Sequence, residues 1–290
     1  MVGLPTPRLT LGGLDLWGVD ADGTRWVVET SPAASGWWSS APSTLVVEQR
    51  AGSDGGWPNA PVSGPKRVAF SGSLVARDQA AARRAVDRLH AALPVGPVVA
   101  VVVEADRSRW CQVHREDQVL VDPVSMGSTV GPVLVRWSVQ LVAYDPRLLG
   151  DMMTGWTGLP ASTGGLRLPF RVPFRIVASA TSGEVTMTNP GTVAGRLLMT
   201  VTGPVTRPSI RTVAPDGSVL TLTLSLTLGD GETLVVDPGT LQVLAGGTAS
   251  RAAWVVSRGW PVFAPGTTTW TFSAVAGSGR LDVQAWPAWA

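Results

Sequence analysis

The leucine-rich run over residues 219–228 constrains the fold more than any other part of the sequence. Leucine alternates with threonine or serine through the run, and this period of two is typical of a β-strand with one buried and one solvated face. Turn residues stand on both sides, at Asp216-Gly217 and at Gly229-Asp230-Gly231. We therefore predict that residues 219–228 and the following segment 232–236 pair as a β-hairpin.

Short apolar segments at regular spacing surround this hairpin. Turn residues such as Gly, Pro and Asn separate them, and such turns recur about every ten residues. The other predicted strands are residues 184–188, 195–202, 208–213, 241–244, 268–275 and 280–286. This spacing predicts an antiparallel β-sandwich of jelly-roll type over residues 177–290.

The N-terminal half is also predicted to be mainly β. An Asp22-Gly23 turn separates its first two strands. The predicted strands are residues 14–19, 24–29, 44–50, 66–75, 97–104, 109–120 and 130–144. They predict an N-terminal β-sheet or sandwich domain over residues 1–147.

One segment of this half, residues 78–93, has a helical pattern. Asp78 is a suitable N-cap, apolar residues recur at helical spacing, and Pro94 ends the pattern. The opposite face carries Arg83, Arg84 and Arg88, which we predict to meet solvent or a neighbouring subunit.

The two predicted domains are joined by residues 148–176. This stretch is rich in Gly, Thr and Pro and lacks clear periodicity, so we predict that it is a linker. Residues 166–177 are predicted to enter the second domain as its first strand.

The sequence contains no pattern typical of catalysis or of a metal site. His90 lies late in the predicted helix, and Cys111 and His114, three residues apart, would point to opposite faces of a regular strand. Asp20-Ala21-Asp22-Gly23 resembles the start of a calcium loop, but Ser31 stands where that loop needs Glu. We therefore expect a structural or binding protein, not an enzyme, with no cofactor and no metal.

Composition narrows the range of partners. The net charge of +2 is too small to favour a nucleic-acid partner. The apolar runs 98–103 and 133–144 are far shorter than the roughly 20 residues of a membrane span. No signal-peptide pattern is present, and one cysteine cannot form an internal disulfide. We expect a protein that folds inside the cell without membrane insertion.

The 13 tryptophans, against one tyrosine and five phenylalanines, are unusual. Those in strand patterns are predicted to pack in the core. Four others lie in predicted loops rich in Gly, Ser and Pro, where large rings are often interface anchors. Together with the arginines of the helix, the predicted interface residues are Trp37, Trp38, Trp57, Arg83, Arg84, Arg88 and Trp156.

The order of motifs in the C-terminal half is more specific than any one of them. Asn189-Pro190-Gly191 and Pro208-Ser209-Ile210 precede the Leu-Thr run, and Phe263-Ala264-Pro265-Gly266 and Trp270-Thr271-Phe272 follow it. In this order they resemble the C-terminal domain of the distal tail proteins of long-tailed bacteriophages. That resemblance implies a galectin-like fold.

The N-terminal half carries motifs in the order of the same family. They are Asp22-Gly23, the run Arg50-Ala51-Gly52-Ser53-Asp54-Gly55, Phe70-Ser71-Gly72 before the helix, and Ala143-Tyr144-Asp145-Pro146. The resemblance therefore covers nearly the whole chain. It implies a homohexameric ring at the distal end of the virion tail, assembled in the host cytoplasm, in which the N-terminal domain builds the ring.

The resemblance also implies partners. They are the tail tube protein, the tail hub or tail-associated protein, and other tail-tip or receptor-binding proteins, with genomic DNA passing transiently through the ring. An alternative stays open, in which Trp254, Trp260 or Trp286 stacks on sugar rings and the chain is a carbohydrate-binding host-adsorption protein. A tail-tip hydrolase is disfavoured, because no catalytic residues are evident.

Overall fold

The computed structural model describes residues 8–29, 34–44, 47–58, 62–104, 107–124, 131–163, 179–181 and 183–290. The chain divides into two compact units, Met1–Gly150 (unit 1) and Asp151–Trp289 (unit 2). The described residues are mainly β, with several antiparallel sheets and one α-helix. The prediction of a β protein with one helix is confirmed.

The strands of unit 1 are short near its start and long in its middle. In chain order the elements are β1 (Arg8–Leu11), β2 (Leu14–Asp15), β3 (Gly18–Val19), β4 (Arg25–Val28), β5 (Ala34–Ser35), β6 (Ser43–Thr44), β7 (Val47–Gln49), β8 (Gly56–Pro58), β9 (Val62–Ser63), β10 (Lys66–Ala76), α1 (Gln79–Ala92), β11 (Val98–Val103), β12 (Ser108–Arg115), β13 (Leu120–Pro123), β14 (Val133–Ala143) and β15 (Leu148–Leu149).

Strands β10 and β14 form the long central pair of unit 1. Their antiparallel register runs without interruption from Lys66 opposite Ala143 to Ala76 opposite Val133. Strands β4 and β5 also pair with β10, and β12 and β13 pair with β14. From β12 the pairing continues through β11 and β1 to β2. Alternate residues of β10 are buried, so one face of this sheet supplies the core of unit 1.

Helix α1 covers that core. The Asp78 carboxylate accepts a hydrogen bond of 2.7 Å from the backbone N–H of Ala81, which confirms the predicted N-cap. The buried face of the helix is made of Ala81, Ala82, Ala85 and Leu89. These small residues let the helix lie close to the sheet, and the chain leaves the helix at Leu93, just before Pro94.

Unit 2 contains more strands, many of them short. In chain order they are β16 (Met153–Gly158), β17 (Ala161–Thr163), β18 (Ser179–Thr181), β19 (Glu184–Asn189), β20 (Val193–Thr202), β21 (Val205–Thr206), β22 (Ser209–Val213), β23 (Val219–Leu224), β24 (Thr227–Leu228), β25 (Thr233–Asp237), β26 (Gln242–Ala245), β27 (Ala249–Ser250), β28 (Val255–Arg258), β29 (Gly266–Ser273), β30 (Ala276–Gly277) and β31 (Arg280–Trp289).

Two sheets of unit 2 share one core. The first has the strand order β16-β31-β20-β25-β26-β27, and the second has the order β19-β29-β22-β23-β28. A smaller sheet joins β24, β21 and β30. Met199 and Val283 from the first sheet, and Leu222, Trp270 and Phe272 from the second, belong to the same buried cluster. Unit 2 is therefore a two-layer antiparallel sandwich.

The predicted hairpin of residues 219–228 and 232–236 is wrong. Strand β23 ends at Leu224 and pairs with β22 and β28, whereas β24 pairs with β21. Strand β25 lies in the other large sheet, between β20 and β26. The predicted turn at Gly229-Asp230-Gly231 exists, with the N–H of Glu232 donating to the carbonyl of Gly229. The alternation specifies which face is buried but not which strand is the partner.

The prediction of a linker over residues 148–176 also needs correction. Strands β15 and β16 lie inside it, and β16 pairs with β31 over all six of its residues. The inward positions of β16 are held by Met153, Gly155 and Thr157. A Cβ on Gly155 would lie 2.7 Å from the terminal methyl group of Met187, so glycine lets Met187 pack closely against β16. With glycine and threonine at inward positions, the strand shows no apolar alternation in the sequence. Residues 166–177, predicted as a first strand, lie outside the described residues.

The register of β23 gives a direct stability test. Leu222 is fully buried, whereas Val219 at the start of the same strand is half exposed. We expect Leu222→Ala to lower the free energy of unfolding by about 2 to 5 kcal/mol, since it removes buried methylenes and leaves a cavity. Urea unfolding followed by tryptophan fluorescence measures this loss. The matched control Val219→Ala should change the free energy far less, and equal losses would contradict the assigned register.

Candidate interaction surfaces

Trp37 is a core residue, and its prediction as an interface anchor is wrong. Its side chain is 0% exposed, and its ring lies 5.9 Å from that of Phe70. Strand β5 pairs with β10 through Ala34 and Phe70, which carries Trp37 into the core. Gly36 precedes it with φ of 84° and lies so close to the Arg67 carbonyl that a Cβ would not fit. The turn therefore directs one ring of the Trp37-Trp38 pair inward.

Trp38 lies on the surface beside a cluster of charged residues. The residue is 44% exposed, and its Nε1–H donates a 2.6 Å hydrogen bond to Glu104. Glu104 also pairs with Arg107 and Arg109. Burial raises the pKa of the Glu104 carboxyl, but the bonds from Trp38 and Arg107 and the charge of Arg109 outweigh it, and the net pKa is lowered. Trp38 is thus an exposed ring held in one orientation.

Trp57 lies on an exposed two-stranded ribbon. Strands β7 and β8 pair through Glu48 and Trp57, and the Trp57 side chain is 61% exposed. The guanidinium of Arg50 lies 4.6 Å from the centre of the indole, at a distance where the ring face attracts a cation. This large ring is therefore available to a partner and is already positioned.

The arginines of helix α1 differ in their surroundings. Arg83 and Arg84 are exposed and make no hydrogen bond or ion pair with any residue that the structure describes. Arg88 instead binds Asp20 and Asp22 at 2.6 and 2.7 Å. This pairing ties the helix to the β3–β4 turn, so Arg88 already has a structural partner within unit 1.

The Asp20 carboxylate is the centre of that contact. It accepts hydrogen bonds from the backbone N–H groups of Asp22 and Thr24, from Trp26 Nε1 and from Arg88. Burial raises the pKa of Asp20, but the bonds from Trp26 and the backbone and the charge of Arg88 outweigh it, and the net pKa is lowered. The sequence that resembles the start of a calcium loop therefore forms a turn whose carboxylates bind the guanidinium of Arg88.

Trp156 lies on a regular strand and not in a loop. It projects from the outer face of β16, is 62% exposed, and lies opposite Asp282 of β31. The guanidinium of Arg280 stacks 4.6 Å from its ring centre, and Arg280 also pairs with Asp282. Sequence analysis missed this arginine because it is distant in sequence from Trp156.

Unit 2 also has a groove of about 740 Å³, which we name the Trp254 groove. It lies between the segment that connects β23 to β24 and the two ends of the β25–β26 hairpin. It is lined by Arg251 and Trp254 and by the segments 225–228, 231–233 and 245–246, the second of which contains Glu232. Trp254 was considered for sugar stacking from the sequence, whereas Glu232 and Arg251 were not. The sequence feature that could have identified Arg251 is its position three residues before Trp254.

The described residues offer little to catalysis. Burial raises the pKa of the Cys111 thiol to about 12, which keeps it protonated and unreactive at neutral pH. The His114 ring lies against Tyr144 at 4.9 Å between centroids. Among the described residues no group of three or more His, Cys, Asp or Glu is arranged to hold a metal ion. No helix in this part of the chain is long and apolar enough to cross a membrane.

The chain is similar in fold to the crystal structure of the Dit (gp 19.1) protein of phage SPP1. The TM-score is 0.61 with 11% sequence identity, and the alignment covers 98% of this chain and 99% of Dit. SPP1 Dit is described as a paradigm of the hub adsorption apparatus in phages that infect Gram-positive bacteria. The predicted resemblance to the distal tail proteins is thus confirmed at the level of the fold.

Two chains from baseplates also match, with lower scores. They belong to the phage P2 baseplate in its activated conformation with calcium and with strontium, at TM-scores of 0.47 and 0.46 and 9% identity. The alignments cover 96% and 95% of this chain, and 97% of each of those chains. No protein-family model matches the sequence, and no curated protein matches it.

The Asp20 contact predicts a pH-dependent stability. The pKa of Asp20 is lower in the folded chain than in the unfolded chain. The Asp20 carboxylate therefore stabilises the fold above the unfolded pKa, and this stabilisation is lost as the pH falls through the folded pKa. We expect Asp20→Asn to cost about 1 to 3 kcal/mol of unfolding free energy at neutral pH, the usual size for a charged hydrogen bond. Urea unfolding measured at several pH values should show this cost shrinking below about pH 4.

The matched control for this experiment is Asp87→Asn. Asp87 is exposed on helix α1 next to Arg88 and makes no hydrogen bond or ion pair among the described residues. Its variant should unfold like the parent at every pH. A cost of Asp20→Asn that does not change with pH would contradict the assigned role of the carboxylate charge.

Proposed function

We propose that this chain is a structural component of the tail tip of a long-tailed phage. It forms a homohexameric ring that joins the tail tube to the central hub and adsorption apparatus and continues the DNA channel. The observation that carries this proposal is the fold similarity to SPP1 Dit, which covers both units and nearly the full length of both chains. A single common sandwich domain would match only part of the chain.

The two units have different roles in this proposal. Unit 1 builds the ring, and unit 2, as a galectin-like jelly-roll domain, faces outward. The partners are the tail tube protein, the tail hub or tail-associated protein, and other tail-tip or receptor-binding proteins. Genomic DNA passes through without sequence-specific contacts. The protein has a structural, non-enzymatic role at the distal end of the virion tail, and it is assembled in the host cytoplasm.

A ring of identical chains needs a head-to-tail interface that closes on itself. Exposed aromatic rings and unpaired arginines are suited to such an interface, because Trp and Arg are the residues that most often dominate binding energy. After removal of the buried Trp37, and of Arg88 with its internal partner, the remaining candidates for the ring interface are Trp38, Trp57, Arg83 and Arg84 of unit 1. Trp156 lies in unit 2 and is a candidate contact for another tail-tip protein.

The mass of the purified full-length protein tests the ring. Light scattering after gel filtration should give about six times the chain mass of 30.3 kDa, and negative-stain images should show six-fold rings. We expect Trp57→Ala, and separately Arg83→Glu combined with Arg84→Glu, to shift the mass toward the monomer. Each removes an exposed contact while the core of unit 1 stays intact.

Trp254→Ala is the matched control, because it removes an equally large exposed ring from unit 2. Its variant should assemble like the parent. A monomer at all concentrations, both alone and when added to purified tail tubes, would contradict the proposed ring. Equal loss of assembly in all the variants would contradict the assignment of the interface to unit 1.

A further inference from the structure

The walls of the Trp254 groove are fixed by backbone hydrogen bonds. The N–H of Ser225 donates to the carbonyl of Trp254 at 2.8 Å, and the N–H of Arg251 donates to Val243 at 2.7 Å. On the opposite wall, the N–H of Gly246 donates to Thr233 at 2.9 Å. A groove with walls of this kind does not need to be ordered by its ligand, which lowers the entropic cost of binding.

Two glycines line the groove at backbone angles that favour glycine. Gly231 and Gly246 both have positive φ, at 72° and 57°, a conformation that other residues rarely adopt. A Cβ at either position would meet nothing within 4 Å, so these backbones border open space. Residues with side chains would be strained there.

The polar groups in the groove come from both walls. Glu232 accepts a hydrogen bond from the N–H of Gly229 at 2.8 Å through one carboxylate oxygen, and its other oxygen accepts none from the described residues. The Arg251 guanidinium makes one long hydrogen bond, of 3.4 Å, to the carbonyl of Ser250. The groove therefore offers a free acceptor and several free donors to a ligand.

Trp254 supplies an apolar face beside these groups. The residue is 42% exposed, and the guanidinium of Arg251 lies 5.2 Å from the centre of its ring. The hydroxyls of Ser225 and Thr227 donate within the chain, to the Trp254 carbonyl at 3.2 Å and to the Thr206 hydroxyl at 3.5 Å. They can still accept a hydrogen bond from a ligand, as can the hydroxyl of Thr233. An aromatic face beside a fixed set of hydrogen-bonding groups is the combination needed to bind a molecule with a C–H face and hydroxyls around its edge.

The charge of the groove selects among ligand classes. One arginine and one glutamate line it, so their charges cancel and a phosphate or another anion has no excess of cations to bind. Leu226 and Leu228 contribute to the lining but are themselves at most 9% exposed, which leaves little apolar surface for a lipid. A neutral, hydroxyl-rich ligand fits this chemistry best.

We propose that the Trp254 groove binds a short neutral saccharide. One sugar face stacks on the free part of the Trp254 ring. The hydroxyls of the sugar accept hydrogen bonds from Arg251 and donate hydrogen bonds to Glu232 and to the threonine hydroxyls of the groove. A volume of 740 Å³ lies within the ordinary range of small-molecule sites. This activity goes beyond the proposed ring function and does not depend on it, because every residue of the groove belongs to unit 2.

The test uses the full-length protein and a panel of soluble saccharides. Lactose, cellobiose, chitobiose, maltose and rhamnose are screened by saturation-transfer NMR, and any that bind are measured by calorimetric titration. We expect at least one to bind and Trp254→Ala and Arg251→Ala each to weaken it by about tenfold or more. Trp254→Phe, which keeps an aromatic face, should lose less affinity than Trp254→Ala.

Val275→Ala is the control for saccharide binding. Val275 is an exposed apolar residue of unit 2 that does not line the groove, so its variant should bind like the parent. Circular dichroism and urea unfolding establish that each variant is folded. No binding by any saccharide of the panel, or binding that survives Trp254→Ala, overturns the proposal. The mass measurement tests the ring separately, so the two proposals can fail independently.

Discussion

The core of unit 2 depends on keeping one leucine face continuous while the backbone changes sheets. Leu222 and Leu224 lie in β23, Leu226 lies between strands, and Leu228 lies in β24. All four are buried in one cluster, although β23 and β24 belong to different sheets. Side-chain burial follows a period of two along the chain even where the hydrogen-bond partner changes. The need to bury one face of this segment thus constrains its conformation more strongly than the identity of its partner strand does.

The change of sheet also creates the Trp254 groove. Where the chain leaves β23, the N–H and the hydroxyl of Ser225 turn to the carbonyl of Trp254. The same contact satisfies backbone groups that would otherwise be left unpaired at the end of a strand, and it joins two of the segments that line the groove. A requirement of folding therefore fixes the geometry of the candidate binding surface.

Much of the local structure is predictable from the sequence. Helix α1, its Asp78 cap and most strands follow from periodicity and turn residues, which are local signals. The pairing of β25 is not predictable, because alternation carries no information on the partner. Strand β16 cannot be recognised in the sequence, because Gly155 and Thr157 occupy inward positions where an apolar residue would be expected. The opposite fates of Trp37 and Trp38 depend on the close contact of Gly36 with Arg67, which only the three-dimensional fold reveals.

Three of the candidate surfaces contain the same pairing of an arginine with a tryptophan ring. Trp57, Trp156 and Trp254 are exposed, and each lies beneath an arginine guanidinium at about 5 Å. The arginine limits the motion of the indole and covers part of its apolar face in the free chain. A ring restrained in this way loses less side-chain entropy when a partner or ligand covers it. Arginine stacking therefore allows these tryptophan rings to remain on the surface, partly covered in the free chain and already oriented for binding.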